Sequence, residues 1–173
     1  MIPAPFRFEA LGDRHDRAAF GCGDEALDRY FQTQATQDIR RRVANCFVVV
    51  EAATGQVAAY YTLSSASIPL VDLPANEAKR LPRYPTLPAV LIGRLAVDRR
   101  FQRRGLGELM LINAVHRTMQ GSAAAFALLV DAKNDRAAAF YERYGFRPIA
   151  GRPGTLFLPL ATAHRMLPDV YSK

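Results

Sequence analysis

The segment that most constrains the fold lies in the middle of the chain. An apolar stretch at residues 90–97 (VLIGRLAV) leads into a basic, glycine-containing turn at residues 102–107 (QRRGLG), and an amphipathic stretch follows at residues 108–119. This order predicts a strand, a tight turn and a helix in direct succession. The glycines let the backbone approach a ligand closely, and the first N–H groups of a helix attract anions. The segment therefore predicts an α/β fold with a phosphate site at the turn.

Further alternating and helical patterns surround this segment. Strand patterns occupy residues 6–11, 46–51, 57–64, 125–131 and 156–160, and helical patterns occupy residues 24–42 and 136–144. Residues 53–56 are a hairpin turn between two of the strands. The five prolines of residues 69–88 exclude a long helix or a central strand over most of this stretch, and a short helix can form near residues 76–80. Strand patterns interleaved with helical ones, opened by a hairpin, predict a mixed α/β sheet in one domain spanning residues 1–173.

Length, apolar runs and cysteines limit the class of protein. A chain of 173 residues fits one domain, and no apolar run approaches the ~20 residues of a membrane span. The first residues lack the layout of a secretory signal. The two cysteines, Cys22 and Cys46, form neither a CxxC pair nor a metal-binding pattern with histidine. We expect a cytoplasmic protein with reduced thiols, no membrane association and no metal.

Two motifs in this order resemble a known family. The turn lacks the GxGxxG and GxxxxGK[ST] patterns of nucleotide-binding loops. It resembles instead the [QR]xxGx[GA] pyrophosphate loop of the GNAT acetyltransferases. Residues 134–146 resemble the Asn-x-x-Ala-x-x-Phe-Tyr-x-x-x-Gly-Phe segment of the same family. The resemblance covers roughly residues 45–150. It implies a GNAT-like fold, with a mixed, mostly antiparallel central sheet flanked by helices, and acetyl-CoA as co-substrate.

The resemblance also implies roles for individual residues. The residues expected to contact the cofactor are Leu95, Ala96, Val97, Gln102, Arg103, Arg104, Gly105, Leu106, Gly107 and Asn134. Tyr141 is the expected general acid that protonates the departing thiolate, although it can also be an aromatic residue packed in the core. Backbone amides near residues 95–97 can stabilise the developing oxyanion. Arg104 stands where the family typically has glycine.

The strand at residues 90–97 contains no carboxylate, whereas many relatives place a general base there. Arg94 is present instead. Either a chain of water molecules removes the proton of the amine, or the substrate amine already has a low pKa, as the α-amino group of an aminoacyl ester does. Asp98 is a candidate base, or a turn residue that ends the strand.

Shorter stretches resemble a narrower group, the tRNA-acetylating toxins of type II toxin–antitoxin modules. The matching stretches are FGCG at residues 20–23, LDRYF at 27–31, YYTLS at 60–64, LPRYP at 81–85 and IGRLAVD at 92–98, together with Gln37, Asp38, Arg40 and Arg41. This resemblance implies acetylation of the amino group of aminoacyl-tRNA, which blocks translation. It also implies a homodimer and a ribbon-helix-helix antitoxin as partner.

The charge of the chain is compatible with an RNA substrate. Lysine and arginine total 23 against 16 acidic residues, a formal net charge of +7. Two explanations fit the excess of arginine equally: the composition of the genome, or an anionic partner. The residues expected to contact the substrate are Arg40, Arg41, Arg42, Arg83, Tyr84 and Arg94. The alternatives remain favourable helix-end charge for residues 40–42 and a rigid surface loop for residues 83–84.

Two other functions stay open at this stage. The first is acetylation of a small molecule, such as a polyamine or an antibiotic, or of a protein amine. We find no acidic cluster in the middle of the chain for a polycationic substrate. The second is a module that binds CoA or RNA without turnover.

Overall fold

The computed structural model describes residues 5–163 and residue 165. Its strands are β1 (Phe6–Ala10), β2 (Asn45–Glu51), β3 (Val57–Pro69), β4 (Thr86–Val97), β5 (Ala127–Asp131), β6 (Arg147–Pro148) and β7 (Thr155–Pro159). They form one sheet in the order β1-β2-β3-β4-β5-β7-β6. Strands β4 and β5 are parallel, whereas the pairs β1–β2, β2–β3, β5–β7 and β6–β7 are antiparallel. The predicted mixed, mostly antiparallel sheet is confirmed.

The helices are α1 (Glu25–Arg29), α2 (Ala35–Arg40), α3 (Ala75–Ala78), α4 (Leu106–Gln120), α5 (Asp135–Arg143) and α6 (Leu160–Ala163). A π-helical segment, Tyr30–Gln34, joins α1 to α2, and 3₁₀ turns occupy Leu70–Asp72 and Arg99–Phe101. No helix in the described part of the chain is long and apolar enough to cross a membrane.

Several boundaries differ from the sequence prediction. Strand β3 continues to Pro69, and β4 begins at Thr86, so Pro88 lies inside a strand. Proline lacks an N–H group, but the carbonyl oxygen of Pro88 still accepts a hydrogen bond from Phe126 N at 2.7 Å. Helix α4 begins at Leu106, which places Gly107 in its first turn and not in the preceding loop.

The chain contains two compact units. Unit 1 comprises the described residues up to 64 together with residues 93–114, and unit 2 comprises residues 65–92 and the described residues from 115 onward. The three boundaries fall inside β3, β4 and α4.

An aromatic cluster forms the core of unit 1. The Phe31 and Tyr60 rings are stacked, with centroids 4.4 Å apart, and Phe20 meets both of them edge-on. The Tyr60 hydroxyl donates a hydrogen bond to the carbonyl oxygen of Leu27 at 2.7 Å. This contact satisfies a buried polar group and fixes α1 against β3.

The core of unit 2 lies around the parallel pair of β4 and β5. Ala89 is opposite Ala127, and the pairing continues to Ile92 opposite Val130. Ile68, Leu73, Leu87 and Phe157 pack against these strands. Burial on both sides explains why residues 127–130 are continuously apolar.

Candidate active site

The turn before α4 in unit 1 has an unusual number of unpaired backbone donors. The N–H groups of residues 103–108 have no hydrogen-bond acceptor among the described residues, and the first bond of the helix runs from Leu109 N to Gly105 O. Residues 102–105 are exposed. Gly105 has a φ of +76°, which favours glycine. Six consecutive donors at the start of a helix can bind an anion, and the exposed side chains of Arg103 and Arg104 add positive charge beside them.

The side chain of Gln102 holds this turn in place. Its Nε2 donates to the carbonyl oxygens of Val97 at 3.0 Å and Cys22 at 3.1 Å. The amide group is therefore engaged within the protein and connects the end of β4, the turn and the loop at residues 20–23. We expect Gln102 to act on a ligand through the position of the turn.

Asp98 anchors the same region from inside the protein. Its side chain is 2% exposed, and its carboxylate accepts hydrogen bonds from Gly21 N at 3.0 Å, Arg100 N at 2.8 Å and Arg100 Nε at 2.9 Å. Burial raises the pKa of this carboxyl group, but hydrogen bonds from the Arg100 side chain and the two backbone N–H groups outweigh burial and hold the pKa below its usual value. Asp98 is thus a turn residue that is ionised near neutral pH, and its carboxylate oxygens are occupied by donors of the protein itself.

Two arginines have the left-handed backbone conformation. They are Arg42, with a φ of 60°, and Arg103, with a φ of 66°, and they are the only non-glycine residues with positive φ in the described part of the chain. Left-handed backbone costs about 1 kcal/mol for a residue with a side chain. Arg104, where the family typically has glycine, does not have it. Both strained residues lie in segments that the sequence analysis assigned to ligands.

Arg94 lies on β4 and stacks on an aromatic ring. Its guanidinium carbon is 3.5 Å from the centroid of the Tyr30 ring. The Tyr30 hydroxyl in turn donates to Asp38 Oδ2 at 2.8 Å. The half-buried guanidinium has no hydrogen-bond or ion-pair partner among residues 5–163 and 165. Arg94 therefore presents a fixed cation with unused donors.

The backbone amides that follow Arg94 have alternating directions. Arg94 N donates to Thr62 Oγ1 at 3.1 Å and Asp98 N donates to Ala58 O at 2.8 Å, so the even-numbered residues of this segment direct their N–H groups toward β3. By alternation, the N–H group of Ala96 also faces β3, whereas those of Leu95 and Val97 face the opposite edge of β4. The β4–β5 pairing ends at Ile92, and these two amides lie beyond it.

Asn134 and Tyr141 are in unit 2. Asn134 is the N-cap of α5, where its Oδ1 accepts a hydrogen bond from Ala137 N at 2.8 Å. The single side-chain oxygen of Asn134, a predicted cofactor contact, therefore caps the start of α5. The side chain as a whole is exposed.

Tyr141 is 8% exposed and packs edge-on against Phe140 and Phe146. Its hydroxyl makes no hydrogen bond within the described part of the chain. Burial raises the pKa of the Tyr141 phenol to about 12. The phenol is therefore protonated near neutral pH, and its hydroxyl proton is not donated to any described residue.

The predicted substrate residues other than Arg94 lie in two places. Arg40, Arg41 and Arg42 are exposed at the end of α2 in unit 1. Arg83 and Tyr84 are exposed in unit 2, in the segment between α3 and β4, and Tyr84 is 63% exposed. Leu70 N donates a hydrogen bond to Pro85 O at 3.0 Å, which joins the two ends of the connection between β3 and β4 that contains this segment.

Unit 1 thus contains Arg94, Gln102, the turn before α4 and the arginines at the end of α2. Sequence reasoning missed Tyr30 and Asp38. Tyr30 follows the helical pattern and looked like a core residue, and nothing in the sequence indicates that its hydroxyl binds Asp38 or that its face carries Arg94.

Both cysteine thiols are held in the protonated form. Cys46 is 3% exposed, and burial raises the pKa of its thiol to about 12. Burial and a hydrogen bond involving Asp28 raise the pKa of the Cys22 thiol to about 11. In the described residues, no group of three or more His, Cys, Asp or Glu side chains has the arrangement of a metal site.

Comparison with known proteins shows what the chain is similar to. The acetyltransferase (GNAT) family model matches residues 10–146. A tRNA-acetylating toxin of Mycobacterium tuberculosis is 33% identical over 161 residues, which cover 92% of this chain and 95% of the toxin. The structure of AtaT complexed with acetyl-methionyl-tRNAfMet has a TM-score of 0.83 and 29% identity, with 93% of this chain and 98% of that chain covered. An AtaT mutant toxin bound to the C-terminus of the antitoxin AtaR and acetyl-CoA has a TM-score of 0.75 and 26% identity, with 93% and 97% covered.

The chain belongs to the GNAT family of acetyltransferases. Within that family it is similar to a tRNA-acetylating toxin along nearly its whole length. Both resemblances recognised in the sequence are confirmed.

The Asp98 contacts lead to a stability prediction. We expect Asp98→Asn to lower the free energy of unfolding at pH 7 by about 1.5–3 kcal/mol, because hydrogen bonds to a charged group are replaced by weaker ones. The folded-state pKa of Asp98 is depressed, so its contribution is present above the unfolded value of about 4 and is lost as the pH falls below it. Urea denaturation at pH 7 and pH 3 measures both effects. A difference between wild type and variant that is as large at pH 3 as at pH 7 would contradict the ionised anchor.

Proposed function

We propose that this protein is a toxin that transfers the acetyl group of acetyl-CoA to the α-amino group of aminoacyl-tRNA and thereby blocks translation. The observation that carries the proposal is the run of six unpaired N–H groups at residues 103–108, in a chain that resembles a tRNA-acetylating toxin over 92% of its length. The enzyme is an acetyl-CoA-dependent acetyltransferase.

The turn before α4 suits the pyrophosphate of acetyl-CoA. Its donors include the N–H groups of Gly105, Leu106 and Gly107, at the positive end of a 15-residue helix. The side chains of Arg103 and Arg104 are exposed beside them. An ideal Cβ placed on Gly105 meets no heavy atom within 4 Å, so glycine is needed there for backbone conformation.

Acetyl-CoA supplies an activated acyl group as a thioester. Transfer forms a C–N bond to the substrate amine and breaks the C–S bond, the amine loses one proton and the departing sulfur gains one. The amides of Leu95 and Val97 can donate to the developing oxyanion, since by alternation they face away from β3 and lie beyond the β4–β5 pairing. Tyr141 supplies the proton for the sulfur, and Asn134 contacts the pantetheine arm or its surroundings.

No carboxylate takes the proton from the amine in this scheme. Asp98 is occupied by its own donors, and Arg94 occupies the strand position of a base. The α-amine of an aminoacyl ester is less basic than lysine, so a neutral fraction exists near neutral pH without a dedicated base. The substrate residues we propose are Arg40, Arg41, Arg42, Arg83, Tyr84 and Arg94.

We propose that the enzyme is a homodimer and that it acts in the cytoplasm. We also propose that an antitoxin of the ribbon-helix-helix type neutralises it. The similar AtaT toxin bound to the antitoxin AtaR supports an antitoxin as partner. We also propose that the chain is one domain over residues 1–173. The unit boundaries inside β3, β4 and α4, with no linker between the units, support this.

The anion site can be tested by a change of charge. We expect Gly105→Asp to weaken acetyl-CoA binding strongly, because a carboxylate would face the phosphates. Gly105→Asn is the matched control, since asparagine has nearly the same size and also tolerates positive φ but carries no charge. Calorimetric titration of both variants isolates the effect of charge. Equal affinities of the two variants would reject the turn as the pyrophosphate site.

Tyr141 has a role that pH can reveal. We expect Tyr141→Phe to retain acetyl-CoA affinity and to lose turnover by roughly 100- to 10,000-fold. Because the Tyr141 pKa is raised to about 12, the wild-type rate should rise with pH as the amine deprotonates and should show no decline from Tyr141 up to about pH 10. Rates of acetyl transfer by the wild type and the variant across this pH range measure the loss of turnover and the pH dependence. Near-normal turnover of the variant would leave Tyr141 a packing residue.

The substrate is tested directly with labelled acetyl-CoA. We expect acetyl transfer to charged tRNA and none to uncharged tRNA, polyamines or protein. Hydrolysis of the ester bond afterwards should release the N-acetyl amino acid. Steep loss of tRNA binding with rising salt should accompany this, because the net charge of +7 displaces counterions from the RNA. Modification of a polyamine or a protein without release of acetyl-amino acid would favour the small-molecule or protein alternative.

A further inference from the structure

Arg94 and the end of α2 are joined through one residue, Asp38. The Asp38 carboxylate accepts from Tyr30 OH at 2.8 Å, and the Tyr30 ring carries the Arg94 guanidinium. The Asp38 carbonyl oxygen accepts from Val43 N at 3.0 Å, the bond that ends α2. The side chain and the backbone of Asp38 therefore hold both the support of Arg94 and the turn that carries Arg42.

Strand pairing places the start of β2 near Arg94. Asn45, at the start of β2, is opposite Leu63 of β3, and Arg94 N donates to the neighbouring Thr62 Oγ1. Neighbouring strands are about 4.8 Å apart, so the backbones of Asn45 and Arg94 lie about 10 Å from each other. Arg42 is three residues before Asn45.

Neither guanidinium makes a hydrogen bond or an ion pair within the described part of the chain, and the one contact of the Arg94 charge is with the Tyr30 ring. Arg42 occupies the position after the helix where glycine is favoured, with a φ of 60°. Its side chain is exposed and has no partner in the described part of the chain, and the Arg94 guanidinium has none either. Arg42 thus carries its positive charge on a strained backbone, and Arg94 carries its charge on a half-buried side chain with unused donors. This arrangement fits an anionic ligand that touches both.

We propose that Arg42 and Arg94 contact phosphates of the 3′-terminal segment of the aminoacyl-tRNA, and that Tyr30 and Asp38 are positioning residues that fix the two arginines relative to each other. This inference rests on the proposed function. The terminal segment is assigned because the aminoacyl group is attached to the 3′ end, and because Arg94 immediately precedes the amides of Leu95 and Val97 that we assign to the reacting carbonyl. An acidic segment of the antitoxin is the competing occupant.

Salt dependence of binding separates a phosphate contact from a structural role. Each lost contact lowers the slope of log K against log salt by about 0.7–0.9. We expect that decrease in Arg42→Gly and in Arg94→Gln when binding of charged tRNA is measured without acetyl-CoA. Arg42→Gly should also raise the melting temperature by about 2–4 °C, because glycine relieves the left-handed strain. Acetyl-CoA affinity should remain that of the wild type in both variants.

Variants of Tyr30 test the positioning role. Tyr30→Leu removes the ring beneath Arg94 while both charges remain, and we expect the slope to fall as if Arg94 were lost. Tyr30→Phe keeps the ring and removes only the bond to Asp38, and we expect a smaller loss of affinity. Arg7→Gln, an exposed arginine of β1, removes one charge elsewhere and should leave the slope unchanged.

Unchanged slopes in Arg42→Gly and Arg94→Gln overturn the inference. A change in only one of them overturns the pairing of the two arginines. Weakened binding of an antitoxin peptide by these variants, with tRNA binding intact, identifies the antitoxin as the occupant and also overturns it. Turnover of wild-type enzyme with charged tRNA tests the proposed function independently, since that measurement uses no variant.

Discussion

The buried carboxylate of Asp98 is the contact on which the architecture of the turn depends. It joins the end of β4, the N-terminal loop at Gly21 and the Arg100 guanidinium. A second bond, from Arg99 N to Gly21 O at 2.9 Å, ties the same two segments together. The carboxylate remains charged because enough donors surround it to offset its burial. Since this cluster fixes where β4 ends, it also fixes where the six free N–H groups begin.

Local patterns in the sequence predicted much of this arrangement. The strand, turn and helix at residues 90–119 are determined by neighbouring residues, and Gly105 has the backbone conformation for which glycine is suited. Contacts between distant segments could not be predicted in this way. Asp98 and Gly21 are 77 positions apart, and the Arg94–Tyr30 stack depends on how a helix packs on a sheet. The length of β3 and the position of Pro88 inside β4 likewise depend on neighbouring strands, which no local window contains.

Motif residues do not all act through the atoms that make them recognisable. The Gln102 amide binds two backbone carbonyl oxygens, and the Asn134 carboxamide oxygen caps α5. In both cases the side chain organises backbone around the place where a ligand is expected. Arg103 shows the reverse, because its backbone takes the conformation expected of glycine while its side chain remains exposed. A sequence motif therefore identifies the family, but it does not tell which atoms of the motif residues contact the ligand.

The protonated thiols have a consequence for the chemistry of the cell. Thiolates, and not thiols, attack thioesters and react with peroxides. With thiol pKa values of about 11 and about 12, Cys22 and Cys46 are almost entirely in the SH form at physiological pH. The enzyme therefore does not provide a sulfur nucleophile that competes with the amine for the acetyl group. The same protonation should make both thiols react slowly with peroxides, so exposure to peroxide should leave the two cysteine side chains in their reduced form.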